Sequence, residues 1–208
     1  FLQELNQKLK KKNAKAMIGG SFAKNTFLQG TREVDIFVKF HYLKHRDRSH
    51  EISDISARIL PKHQRIHGSR DYFQVIRKNI TFEIVPVLAI KNAKQARNVT
   101  DISPLHTLYV KKHLTQKQAD EVLLLKQFCR AQQVYGAESY IRGFSGYVLE
   151  ILIIHYTTFK NLLKHVVAWK EKVILNTIHH YKNEQELLST LNVAKTYSPL
   201  IIPDPVQP

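Results

Sequence analysis

The sequence predicts an α+β protein, with a first half that mixes strands and short helices and a second half that is helical. Two patterns carry this reading. Between residues 14 and 90, short apolar runs alternate in the strand manner and are broken by Gly, Pro, Asn and charged turns. From residue 117 onward, apolar residues recur at helical spacing instead. The 208 residues, 43% of them apolar, suffice for one large domain or two small ones with a real core.

Taken in order, residues 2–11 (LQELNQKLKK) have helical spacing and a basic end, which suits a helix C-terminus. Residues 14–18 form an apolar strand that runs into Gly19-Gly20. Ser21 then stands near the N-cap of a short helix, Gly30 marks a turn, and residues 33–40 (EVDIFVKF) alternate as a strand. Residues 41–50 (HYLKHRDRSH) read as a charged loop, and residues 53–60 as an amphipathic helix stopped by Pro61. Three strand-like runs follow, at 64–67, 72–76 and 80–90. In the second half, 117–133 is a helix, Ser145 caps another through Tyr156, and 159–170 continues the pattern. The proline-rich SPLIIPDP near the end reads as extended chain. The chain begins at Phe1 and ends on IIPDPVQP, so it is expected to be a piece of a longer protein or one subunit of a split one. The expected organisation is 1–112, 113–185 (helical) and an extended terminal segment 186–208.

Charge narrows the partners. Against 17 Asp+Glu stand 32 Lys+Arg, a net +15, and such an excess favours polyanions. The lone Cys129 cannot pair within the chain and lies in a helical stretch as a buried thiol, which suits a reducing cytoplasm. The longest apolar run, from Tyr147 to Tyr156, is interrupted by Glu150 and is far shorter than the roughly 20 residues a spanning helix needs. No membrane role is expected.

The chemistry concentrates in Gly20-Ser21 followed by Glu33 and Asp35. In a strand, residues i and i+2 face the same side, so these two carboxylates lie together. Like charges so close repel unless a cation holds them, and Mg2+ prefers a few carboxylates plus phosphate oxygens. A glycine-serine turn lets backbone N–H groups approach a phosphate, and Lys24, one turn on, neutralises charge. Glu83, the one acid in the apolar strand ITFEIVPV, is the candidate third carboxylate, because an unpaired acid there is costly. Its plain alternative is a place on the wet face of the strand. A phosphate cradle facing carboxylates is a layout for phosphoryl or nucleotidyl transfer.

These residues carry a resemblance. GGSFAKNT followed by REVDIFV resembles the nucleotidyltransferase signature of the DNA polymerase beta superfamily. The order continues with TFEIVPV, TDISPLH, DEVLLLKQF and VYGAESYIRGFSGYVLEILI, and is similar to the archaeal-type (class I) CCA-adding enzymes from about residue 18 to the DPV near the end. The resemblance implies a polymerase-beta-type catalytic head, of mixed sheet and helices, followed by a helical nucleotide- and RNA-binding domain. It implies addition of C, C and A to a tRNA 3′ end from CTP and ATP, with Glu33, Asp35 and Glu83 holding two Mg2+ ions. Gly20 and Ser21 fall on the triphosphate loop, with Lys24 beside them. His106, Lys126 and Tyr135 fall on further nucleotide contacts, with Ser103 in the same motif as His106. Arg142 is a candidate RNA contact. The implied partner is the tRNA acceptor end, with a second chain supplying body and tail domains as a further expectation.

The sequence departs from the family at two places. Glu83 stands where Asp is usual, and Arg70-Asp71-Tyr72 stands where His-Pro-Tyr is frequent. Plain readings also exist for each residue outside the acids. His106 is one of 11 histidines, Lys126 can snorkel to solvent, Tyr135 can pack at a helix end, and Arg142 can cap a helix. Phe144 and Tyr147 read as core anchors, and the 42–50 loop as solvated. Two other functions remain open at this point: an oligoadenylate- or poly(A)-type nucleotidyltransferase, and a non-catalytic RNA-binding subunit that needs a partner.

Overall fold

The computed structural model of the chain describes residues 1–207, which form two compact units, 1–112 and 113–207. In the first, α1 (Leu2–Lys10) precedes β1 (Ala14–Ile18), the short α2 (Gly20–Lys24) and β2 (Glu33–Phe40). Then come α3 (Tyr42–His45), a 3-10 segment, α4 (Ile52–Ala57), β3 (Gln64–Ile66), β4 (Tyr72–Arg77), β5 (Ile80–Leu88) and α5 (Ser103–His113). The charged stretch 41–50 is therefore turned into short helical pieces where a loop was expected. Ser21 sits inside α2, whose N-cap is Gly19.

The sheet order is β1-β2-β5-β4-β3. Within this five-stranded sheet only β2 and β5 run parallel, and the other pairs are antiparallel. A parallel pair needs a long crossover, here supplied by residues 41–79. Alternation along β2 puts Ile36, Val38 and Phe40 on one face, all buried, and Glu33, Asp35 and Lys39 on the other. The apolar face continues through Ile84 and Leu88 of β5 and Phe73 and Val75 of β4, again all buried. Against the sheet pack α1, with Leu5 and Leu9 buried, and α4, with Ile52 buried. Each fully buried large side chain of this kind contributes about 1.5–3 kcal/mol.

One polar hub is buried in this unit. Asp101, with no exposed surface, pairs with the Arg70 guanidinium and accepts the backbone N–H groups of Leu88 (2.8 Å), Arg97 (3.0 Å) and Asn98 (3.1 Å). It thereby ties the end of β5 to the start of α5. Arg70 also donates to the carbonyl of Pro86 at 3.2 Å.

The second unit is built on α6 (Gln116–Ala131), α7 (Gly146–Tyr156) and α8 (Phe159–Val166). Its core gathers Val122, Leu125, Cys129, Leu149, Leu152, Ile153 and Leu162. Burial raises the Cys129 thiol pKa, which keeps it protonated and unreactive. The helix starts are capped as their sequences dictate: Thr115 forms a capping box with Gln118, and Ser145 and Thr158 accept from Val148 (3.2 Å) and Asn161 (3.1 Å). Beyond lie β6 (Val173–Ile174), α9 (Glu184–Thr190), α10 (Val193–Thr196) and β7 (Leu200–Ile201). SPLIIPDP is extended as expected over β7, which pairs with β6, but helices precede it from residue 184. Among the described residues no helix is long and apolar enough to cross a membrane.

Candidate active site

Strand register builds the acidic site. Asp35 of β2 pairs with Glu83 of β5, and Glu83 pairs on its other side with Gln74 of β4. Residues directly paired across a sheet point to the same face, with neighbouring strands about 4.8 Å apart. Asp35, Glu83 and Gln74 therefore form one polar row across three strands. Glu33 lies two residues before Asp35, on the same face and at the exposed start of β2. The three acids expected to act together are on one side of the sheet.

Their electrostatics follow from this placement. Burial, and next the negative charge of Glu83, raise the pKa of Asp35 above the ordinary aspartate value. Lys24 works in the opposite direction, and Glu33 adds a smaller push upward. The Tyr72 hydroxyl is pushed up by burial and by both Glu83 and Glu33. Four acidic or phenolic groups thus share one field, with Lys24 as the cation that acts on Asp35. Glu83 is not an unpartnered acid: Gln74 donates to its Oε1 at 2.9 Å.

The glycine turn presses against the carboxylates. Gly20 has φ +52°, and a Cβ built there would lie 1.7 Å from Oδ2 of Asp35. Only glycine satisfies both the left-handed backbone and that approach. The N–H of Gly19 donates to the Asp35 carbonyl at 2.8 Å, which locks the turn to β2. Gly20→Ala should cost about 1–2 kcal/mol from the left-handed backbone alone and should push Asp35 aside. A melting curve and a single-turnover assay would both register it.

Could these residues hold a divalent cation? Among the described residues, no three ligating side chains close upon one point. The donor set is nonetheless the right kind, since carboxylate oxygens are hard ligands for Mg2+. A cation beside Asp35 would also relieve both causes of its raised pKa, burial without a counter-charge and repulsion from Glu83. The Gly20 approach leaves the Asp35 oxygens facing backbone instead of a bulky side chain. The residues fit a metal that brings some ligands of its own, water or phosphate.

The remaining candidates divide by unit. Ser103 begins α5 and His106 lies one turn along it, half-buried. In the second unit, Lys126 of α6 is buried to 2% exposure and pairs with Glu150 of α7 at 3.5 Å, so it does not snorkel to solvent. Tyr135 is half-buried beside it, its hydroxyl close to Gly146 and its ring 6.0 Å from the Arg130 guanidinium. Arg142 is exposed, at φ +54°, and donates to the carbonyl of Ser139 at 3.3 Å. Sequence reasoning missed Gln74, Glu150 and the Arg70–Asp101 pair. The first was within reach. Lys78 and Asn79, both at positive φ, make a two-residue hairpin turn, and counting back from Arg77 opposite Ile80 puts Gln74 opposite Glu83.

A glycine turn pressed on an acidic row of a mixed sheet, with a helical unit following, defines a polymerase-beta-type nucleotidyltransferase fold. The solved CdnC of Escherichia coli MS115-1 with ATP has it too: TM-score 0.60 over 100% of this chain and 73% of that one, at 14% identity. So does the Cid1 poly(U) polymerase, solved as a mutant bound to MgATP, with TM-score 0.53 over 74% of this chain and 47% of that one, at 17% identity. At such identities the likeness concerns the fold alone.

Sequence likeness is narrower. Residues 120–208 match the model for the tRNA nucleotidyltransferase second domain. The CCA-adding enzyme of Nanoarchaeum equitans is 42% identical over 193 residues, 91% of this chain and 48% of that protein. Those of other archaea follow at 33–36%. The chain is similar over most of its length to archaeal CCA-adding enzymes, and it spans about half the length of the curated relatives it matches.

Proposed function

We propose that this chain is the catalytic part of a CCA-adding tRNA nucleotidyltransferase, which extends a tRNA 3′ end with C, C and A from CTP and ATP. The observation that carries the proposal is the pairing of Asp35 with Glu83 across parallel strands, against a glycine that admits no side chain. The family supports CTP, ATP and tRNA as substrates over the oligoadenylate- and poly(A)-type alternatives.

Glu33, Asp35 and Glu83 would hold the two Mg2+ ions. When bound, the ions supply charge neutralisation and a lowered pKa at the attacking hydroxyl. The chain's own residues do the rest. Gly20 and Ser21 offer backbone N–H groups to the triphosphate, and Lys24 adds a positive charge beside it. Ser103, His106, Lys126 and Tyr135 orient the nucleotide, and Gln74 keeps Glu83 in the row. Arg142 is exposed and is assigned to an RNA phosphate. A reducing cytoplasm is the proposed compartment, consistent with a single buried thiol. A second chain carrying the remaining half of the family's length is the proposed partner.

The test is incubation of the purified chain with Mg2+, labelled CTP or ATP, and tRNA ending before CCA, with and without any co-purifying protein. Ordered incorporation of C and then A supports the assignment. Incorporation of A alone, or none under either condition, rejects it. With a net charge of +15, affinity for an acceptor-stem RNA should also fall about a hundredfold or more between roughly 50 and 200 mM salt. Filter binding across a salt series measures this.

A further inference from the structure

The helix α7, GYVLEILIIHY, is apolar but for Glu150 and His155, and the Glu150 carboxylate has no exposed surface. It faces Lys126, itself 2% exposed, with 3.5 Å between Oε1 and Nζ. An ion pair this deep seldom repays its lost hydration, and apolar residues of similar volume usually serve the fold as well or better. The neighbours Val122, Leu125, Leu149 and Leu152 make a setting in which such residues would pack. Packing between α6 and α7 does not by itself explain the pair.

Two observations beside it point to a ligand. A Cβ at Gly146, one turn before Glu150, would stand 3.2 Å from the Tyr135 hydroxyl and 3.5 Å from both Cε and Nζ of Lys126. Any side chain there would crowd both polar tips, and glycine keeps the space beside them clear. The Glu150 charge also reaches Tyr135: burial chiefly, and then Glu150, raise the phenol pKa, so Tyr135 remains an O–H donor at neutral pH. An ammonium and a phenolic O–H side by side match an anionic oxygen ligand. A lysine removed from water tends to give up its proton unless a carboxylate stands next to it.

We propose that Glu150 is a positioning residue for the nucleotide: it holds and orients the Lys126 ammonium, next to Tyr135 and Gly146, for contact with a phosphate oxygen of a nucleoside triphosphate. This rests on the nucleotide-binding role given above to Lys126 and Tyr135. Glu150 itself touches no substrate. Its carboxylate fixes where the ammonium sits.

The test is equilibrium binding of CTP with Mg2+ to the full chain, with a melting curve for every variant. Glu150→Gln should melt cooperatively and bind CTP about tenfold more weakly, the size usual when a ligand-orienting partner is lost. The deficit should deepen as pH rises from about 7 to 9, because the lysine then lacks its counter-charge. Lys126→Met combined with Glu150→Leu should melt no lower than wild type, yet bind CTP as poorly as Lys126→Met alone. Should Glu150→Gln not fold, Glu150→Asp takes its place, with the carboxylate drawn back by one methylene and weaker CTP binding expected. Wild-type affinity in a folded Glu150 variant, whatever its melting temperature, overturns the positioning role. If Lys126→Met weakens CTP while that Glu150 variant does not, positioning alone is lost. If the wild-type chain itself binds no CTP, the nucleotide-site reading fails and takes this role with it.

Discussion

Asp35→Asn should lower nucleotide transfer by roughly a thousandfold or more, and should at the same time raise the melting temperature of the metal-free chain. The first effect follows from the position of Asp35. It stands between Glu33 and Glu83 and beside the Gly20 turn, where it is proposed to hold metal, and loss of such a charge at a transferring phosphoryl group removes several kcal/mol of transition-state stabilisation. The second follows from its raised pKa, caused first by burial and then by Glu83. A carboxylate whose folded-state pKa lies above its unfolded one favours the fold while protonated. That contribution is lost as pH rises through the folded-state value. At neutral pH the ionised Asp35 is therefore a burden that the amide removes. The melting-temperature gap between variant and wild type should close as pH falls through the Asp35 pKa. Added Mg2+ should narrow it too, by stabilising the wild type alone. A variant less stable than wild type without metal would contradict the arrangement.

Asp101→Ala should cost about 3–5 kcal/mol, the range expected when one partner of a buried ion pair is removed. Arg70 would be left buried opposite an apolar methyl, and three backbone N–H groups at Leu88, Arg97 and Asn98 would lose their acceptor. These donors lie where β5 ends and where the chain turns toward α5. The damage should therefore spread to Ser103 and His106 at the start of that helix. Denaturant melts would measure the loss. Arg70→Leu combined with Asp101→Leu should not restore it, because the three amides would remain unsatisfied.

Much of this was legible in the residues themselves. EVDIFVKF reads as a strand because its apolar positions alternate, and the same alternation puts Glu33 and Asp35 on the polar face. Ser145 marks the start of α7 because its hydroxyl can accept the Val148 N–H. What escaped was set by tertiary contacts. Arg70 looked like a departure from a family motif, and its partner lies 31 residues away in a segment without strand or helix periodicity. Lys126 looked like a side chain able to reach solvent, since its own helix cannot show that Glu150 lies across from it on α7. The stretch 41–50 looked like a loop because its charges mask turns that are each too short to display a period.

The parallel pairing of β2 with β5 governs how the proposed activity must emerge. Asp35 and Glu83 are separated by roughly fifty residues, and closing so long a loop is entropically expensive before any contact rewards it. No partly assembled chain can present both carboxylates, since neither hairpin nor helix alone brings them together. During refolding, catalytic competence should arrive with the slowest step, behind the recovery of helical signal. A single proteolytic nick between β2 and β4 should abolish recovery altogether, even where the cut protein had still worked before it was unfolded.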